Sequence, residues 1–252
     1  MGLFGVAFSA GLALGGALAA LGEIWGWRTS FVAASVIAAV SATALALVRV
    51  PEEESRPGEP RSASRLREAF GVPVAVGGVA AASQYGTIGF FVLYAVEHWG
   101  VSPATAALVL TAGRILSVPA KLVSGNASDS SGALRTARRL GLVLAVLGAC
   151  WTLLPGPALT VWAALLFIAC VSGLGPIANV LALERLEHRA ELLGAFRAAQ
   201  VGLASLTAML LGAGAELVGL RATVVVAAVA IPSSILLLGR GERRAQSRPA
   251  LS

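Results

Sequence analysis

Glu216-Leu-Val-Gly-Leu-Arg221 repeats Glu23-Ile-Trp-Gly-Trp-Arg28, with Glu, Gly and Arg in the same order and at the same spacing. Each copy lies between two long apolar runs. Parallel repeats among apolar helices mark membrane proteins built from related halves. Four apolar runs lie between the pair that flanks the earlier copy and the pair that flanks the later one, and the earlier copy has no counterpart to them.

Composition supports a membrane setting. Of the 252 residues, 57% are hydrophobic and only 13% charged, and the mean hydropathy is +0.81. A soluble domain carries about 25% charged residues. So much apolar surface has no soluble fold of this size to hide in, so the chain reads as an all-α, polytopic membrane protein. The net charge of +6 does not point to nucleic acid, because the basic residues sit in loops and form no continuous patch. The preference for Arg over Lys, with abundant Ala, Leu and Gly, fits codon usage in a GC-rich bacterial genome. Cys150 and Cys170 lie inside apolar runs without CxxC or Cys/His spacing, so neither a disulfide framework nor a metal site is expected. No cofactor is expected either.

Apolar runs fall at 2–22, 29–48, 73–96, 104–123, 139–154, 158–180, 193–216 and 221–239. A span needs about 20 apolar residues, within a range of about 17–25. Seven runs meet this. The run 139–154 is short, with Pro155-Gly-Pro157 as its exit turn, and Arg138 and Arg139 can snorkel to lengthen its reach. About eight transmembrane helices are expected. Ala17-Leu-Ala19 resembles a signal-peptide cleavage site, but no Lys or Arg precedes the first run, which reads as a span.

Lys and Arg in short loops set the orientation. The stretch 49–71, the loop with Lys121, Arg135, Arg138 and Arg139, the loop with Arg185, Arg189 and Arg197, and the C-terminal tail hold the basic residues of one side. Only Arg28 and Arg221 lie on the other, and Arg114 belongs to neither. The Arg-rich side is therefore expected in the cytoplasm, with both termini there and the chain multi-pass in a cell (inner or plasma) membrane. Residues 49–71, broken by Pro51, Pro57 and Pro60, form the linker. The stretch 64–70 within it is a candidate interfacial helix.

Three motifs stand out. In the opening run, Gly2, Gly11, Gly15 and Gly16 make a face of small residues that lets helices approach closely. Between the fourth and fifth runs stands Gly125-Asn-Ala-Ser-Asp129-Ser-Ser-Gly132, a Gly-x-x-x-Asp-x-x-Gly loop. Read locally, it is a turn supplied by Asp, Ser and Gly. The repeated Gly-x-Arg at 26–28 and 219–221 ends one helix and anchors the next, and Trp25 and Trp27 fit an interfacial belt.

On these residues the chain resembles a major facilitator superfamily transporter, over essentially its whole length and at the position of helices five to twelve of the usual twelve. The opening glycines fall at the spacing of the family's antiporter motif, with Gly16 at its Pro position and Ala19 and Ala20 at its Gly-Gly. The second motif matches the family's cytoplasmic signature at Gly125, Asp129 and Gly132, with Ser130 in place of its basic residue and Arg135 nearby. The resemblance implies a conformational latch there. It also implies that residues 1–48 are the last two helices of an N-terminal bundle and 72–239 a six-helix C-terminal bundle, followed by a tail at 240–252. The implied mechanism is alternating access. A small-molecule substrate would be moved, with efflux among the directions, by coupling to a proton gradient. A partner chain could supply four further helices, or the chain could be a non-transporting fragment or partner subunit.

Arg114 sits near the middle of its run. A charge at that depth costs roughly 2.5–3.5 kcal/mol and should face protein or water. It could bind an anionic substrate, help couple protons, or bond structurally to helix-end carbonyls or an acid. Gln84, Tyr85, Asn179 and Gln200 are polar residues within apolar runs, and the resemblance places their helices along the cavity. They read as substrate contacts or as interhelical packing glue. Glu97 and His98 read as exposed loop residues. No HExxH, Gly-x-Ser-x-Gly or P-loop occurs, and the two Val-Ser-Gly triplets lack the preceding Gly of an intramembrane serine protease, so an enzyme is not expected.

Overall fold

The computed structural model describes residues 71–186 and 190–238, and scattered residues between 24 and 43. In that last group every described residue is helical except Gly26. The opening glycines Gly2, Gly11, Gly15 and Gly16, the linker 49–71 except Gly71, and the tail lie outside the described residues.

The main body is helical throughout: α1 (Val72–Ala81), a π-helical turn (Ala82–Thr87), α2 (Phe91–Trp99), α3 (Pro103–Ser131), α4 (Ala133–Leu153), α5 (Pro157–Val171), α6 (Leu174–Leu186), α7 (Ala190–Val218), α8 (Leu220–Ser233) and a closing 3-10 turn (Ser234–Leu237). Among the described residues, five helices are long and apolar enough to cross a membrane, α5 and α6 together forming one of them at 158–184. The count is six if Val72–Thr87 and Phe91–Trp99, which meet at a 46° bend, form one span.

The packing is that of a protein in lipid. Large apolar side chains point outward, among them Leu108, Ile115, Leu122, Val146, Trp162, Met209 and Leu210. In water such a surface would drive association. The buried positions are instead rich in Ala, with aromatic residues at one end. Small residues permit close helix contact, which is the main attraction once lipid has removed the hydrophobic one. The contact of α4 with α8 illustrates this: a Cβ at Gly148 would stand 2.8 Å from the backbone carbon of Ala228. Further close pairs are α3 with α5, α4 with α5, α7 with α1 and the π-turn, and α1 with α6.

Three expectations are corrected. The run 73–96 is not a continuous helix but is broken at the π-turn and bent. The stretch 125–132 is not a loop: α3 continues through Ser131 and the chain breaks at Gly132, where φ is 87°. At 1.5 Å per residue, the 29 residues of α3 reach about 43 Å, beyond a hydrocarbon core of about 30 Å. The polar last turns can therefore stay helical outside the bilayer. Third, α4 begins at Ala133, so Arg135, Arg138 and Arg139 lie on its first turns, and the short run 139–154 belongs to a 21-residue helix.

Candidate functional site

Arg114 lies on α3 and is 6% exposed. Its Nη1 has no hydrogen-bond partner among the described residues. It is close enough to Tyr85, on the π-turn, to interact with it electrostatically. The structure thus brings together two of the five polar candidates from distant parts of the sequence. Pro119, one turn further along α3, has no N–H to donate, so the helix loses a bond at its carbonyl four residues back. The Ser117 hydroxyl donates to the Arg114 carbonyl at 2.6 Å.

The π-turn supplies the rest of this polar region. The Ile88 N–H bonds the Ser83 carbonyl at 2.9 Å, five residues back, which widens the turn. Single widened turns of this type occur often at functional positions. Ser83 and Thr87 are fully buried with hydroxyls that have no partner among the described residues, and Gln84 is 9% exposed. Tyr85 is half exposed. Sequence reasoning missed Ser83 and Thr87. The available signal was the density of Ser, Gln, Thr and Gly in 83–89 within an apolar run.

Gln200 and Asn179 are differently placed. Gln200 is buried on α7, where Arg197 Nη1 donates to its Oε1 at 3.1 Å. Its side chain also presses on α1: a Cβ at Gly77 would lie 2.9 Å from Gln200 Cδ. Asn179 on α6 is half-buried, with an Oδ1 that has no partner among the described residues. No hydrogen bond joins either residue to Arg114 or Tyr85 among the described residues.

At the far end of α3, Asp129 is exposed in the last helical turn and Gly125 has open space around it. The contact that ties α3 to α4 is made by others: Thr136 Oγ1 donates to the Ala127 carbonyl at 3.0 Å, and Ser131 Oγ lies 3.1 Å from Thr136 Oγ1. Arg135 is exposed. Arg138 donates from Nη2 to the Leu238 carbonyl, tying α4 to the end of the 3-10 turn.

The helix order, the apolar exterior and the buried polar band at mid-span are those of a multi-pass membrane protein. The family model of the Major Facilitator Superfamily matches residues 1–208. The chain belongs to that superfamily. No curated protein and no solved structure matches the chain. Membership makes this a membrane transporter of small molecules, embedded in a lipid bilayer.

The superfamily match runs from residue 1 into α7. It thus spans both the region of Gly26 and the body of the bundle. Gly26 and Gly219 share a positive φ, 83° and 89°. In both copies of the repeat the glycine is non-helical and follows a helical residue, and the backbone N–H groups of Thr29 and Thr223 donate to the Gly26 and Gly219 carbonyls. Of the pair expected in a loop, Glu97 is exposed, whereas His98 is half-buried in the last turn of α2 and stacks on Tyr94 at 4.5 Å.

Proposed function

We propose that this superfamily member is a secondary active transporter working by alternating access, with Arg114 at its substrate site and a proton gradient as the driving force. The observation that carries the reading is the buried guanidinium: Arg114 keeps an N–H donor at mid-span with no partner among the described residues, beside the Tyr85 phenol and a widened helical turn. An intramembrane cation so placed is expensive unless something anionic visits it. The substrate class is therefore an organic anion, with efflux among the possible directions. Gln84, Tyr85, Asn179 and Gln200 would contribute contacts, and the α3–α4 junction at Gly125, Asp129, Gly132 and Arg135 would act as the latch.

The domain reading rests on the same resemblance. Residues 72–239 would form one six-helix bundle, 1–48 two helices of the other, 49–71 the linker and 240–252 a tail. The bias of basic residues supports a bacterial cell membrane location with both termini cytoplasmic. One observation favours a counterpart bundle, from this chain and a partner chain together. The α7 span has 11% of its most apolar window buried, against 61% for the 158–184 span, so α7 presents a face to something beyond the described helices.

The test is reconstitution of the chain into proteoliposomes, alone and with candidate partner chains, under an imposed pH gradient. Accumulation of radiolabelled organic anions is measured. Gradient-driven flux that Arg114→Ala abolishes at normal expression supports the reading. Flux unchanged by Arg114→Ala removes Arg114 from the site, and flux that does not respond to the gradient removes proton coupling.

A further inference from the structure

A second polar concavity lies at the opposite end from the α3–α4 junction, where α2 and α4 end and α5 and α8 begin. It is a cleft of about 370 Å³. Trp99, Trp151 and His98 line its wall and Arg221 its rim. It is separate from Arg114, which does not line it.

Its chemistry is one-sided. Trp151 is 1% exposed, and its indole Nε1–H has no acceptor among the described residues. His98 Nδ1 is also buried without a partner among the described residues. The Tyr94 hydroxyl gives its proton to the Thr152 carbonyl at 2.9 Å, so that acceptor is already used. Arg221 interacts electrostatically with the Tyr94 phenol and stays exposed at the rim. No carboxylate lines the cleft among the described residues.

Two helix starts add to this. Gly156 lines the cleft and precedes α5, and Gly219 precedes α8, where Arg221 is the second residue. Neither start has a side-chain cap. Both therefore present first-turn N–H groups and the positive end of a helix dipole. A buried indole on its wall, a guanidinium at its rim and the uncapped start of α5 share one cleft without an acidic partner among the described residues. The aromatic wall is tightly knit, with Trp99 and Trp151 edge-to-face at 6.3 Å and Phe91 and Trp151 at 5.7 Å. It offers a preformed surface for an apolar body next to the charge.

We propose that this cleft binds an anionic group, a carboxylate or phosphate carried on an apolar or aromatic body, through Arg221 and the Trp151 N–H. The cleft lies at span ends, at the depth of lipid headgroups, so the anion comes from a dissolved solute or from an anionic lipid. The site is independent of the Arg114 reading and stands or falls by Arg221.

The test is equilibrium binding of radiolabelled benzoate to the whole chain in phosphatidylcholine nanodiscs. Saturable binding is expected, with Arg221→Gln weakening it at least tenfold and Arg221→Lys restoring part of the loss. Trp151→Phe keeps an aromatic plate, removes the N–H, and should weaken binding severalfold. Uncharged benzyl alcohol should not compete. Discs containing phosphatidylglycerol distinguish the sources. Displacement of benzoate there, lost in Arg221→Gln, assigns the site to lipid; undiminished binding assigns it to solutes. Equal binding by wild type and Arg221→Gln in both disc types overturns the proposal. So does competition by benzyl alcohol.

Discussion

Arg114→Met separates two roles for the buried arginine by the sign of its effect on stability. A guanidinium held structurally by carbonyls or an acid would leave those groups unpaired when removed, and breaking a buried pair costs about 3–5 kcal/mol. The structure points the other way. Arg114 is 6% exposed, yet Nη1 has no partner among the described residues. An unsatisfied buried polar group costs about 1–3 kcal/mol. Met is unbranched, flexible and apolar, so it fills most of the same volume and forfeits only the attraction to the Tyr85 phenol. The variant should therefore be more stable than wild type by about 1–3 kcal/mol, roughly 5- to 150-fold in the folded-to-unfolded ratio. Reversible unfolding in mixed micelles, titrated with sodium dodecyl sulfate and followed by far-ultraviolet circular dichroism, measures this directly. Gain of stability with loss of transport is the trade-off expected of a residue kept for function. Destabilisation by about 1 kcal/mol or more refutes the reasoning and makes Arg114 a structural residue.

Two further substitutions probe the packing. Gly148→Val should destabilise by about 1–3 kcal/mol, because its Cβ would meet the Ala228 backbone rather than a side chain that can turn away; Gly212→Ala, with nothing within 4 Å, should change the melting temperature little, and equal melting of the two would refute the contact. Tyr94→Phe should cost about 1 kcal/mol, since it leaves the Thr152 carbonyl without its buried 2.9 Å donor; an unchanged unfolding midpoint would show that this bond contributes nothing net.

Helix positions were legible wherever a span is bounded by strong punctuation. Pro155-Gly-Pro157 does separate α4 from α5, with α4 ending at Leu153 and α5 starting at Pro157. The glycine of the 219–221 motif does stand between α7 and α8. Hydropathy failed at polar helix ends. Residues 125–131 and 133–138 read as loop because they are not apolar, but a helix that overshoots the bilayer has no reason to be. Its hydrogen bonds are made within the helix whatever the solvent. The polar candidates were legible as residue types but not as a group. The approach of Arg114 to Tyr85 depends on how α3 sits against a bent first span, which no local pattern encodes. The outer cleft was invisible for the same reason: Trp99, Trp151 and Arg221 come from three helices, and Arg221 alone was expected only to anchor at the headgroups.

The bend itself has a physical logic that links fold to site. Each residue added to a helix rotates the rest of the span by about 100°, so a single widened turn re-aims one half of a span relative to the other. Below the π-turn, α1 packs on α6 and α7; above it, α2 packs on α3 and contacts α8. A continuous α-helix would keep one stripe facing one set of partners along its whole length. The widened turn exchanges partners midway. The change of partners falls where Ser83, Gln84, Tyr85 and Thr87 lie, and where α7 also presses close: a Cβ at Gly86 would stand 2.8 Å from Thr207 Cγ2. Polar side chains at this depth are thus concentrated at the junction between two packing regimes, not scattered along a uniform helix. Any movement of α7 against α1 must be transmitted through that junction, because Gly77, Gly78 and Gly86 leave no slack between the helices there.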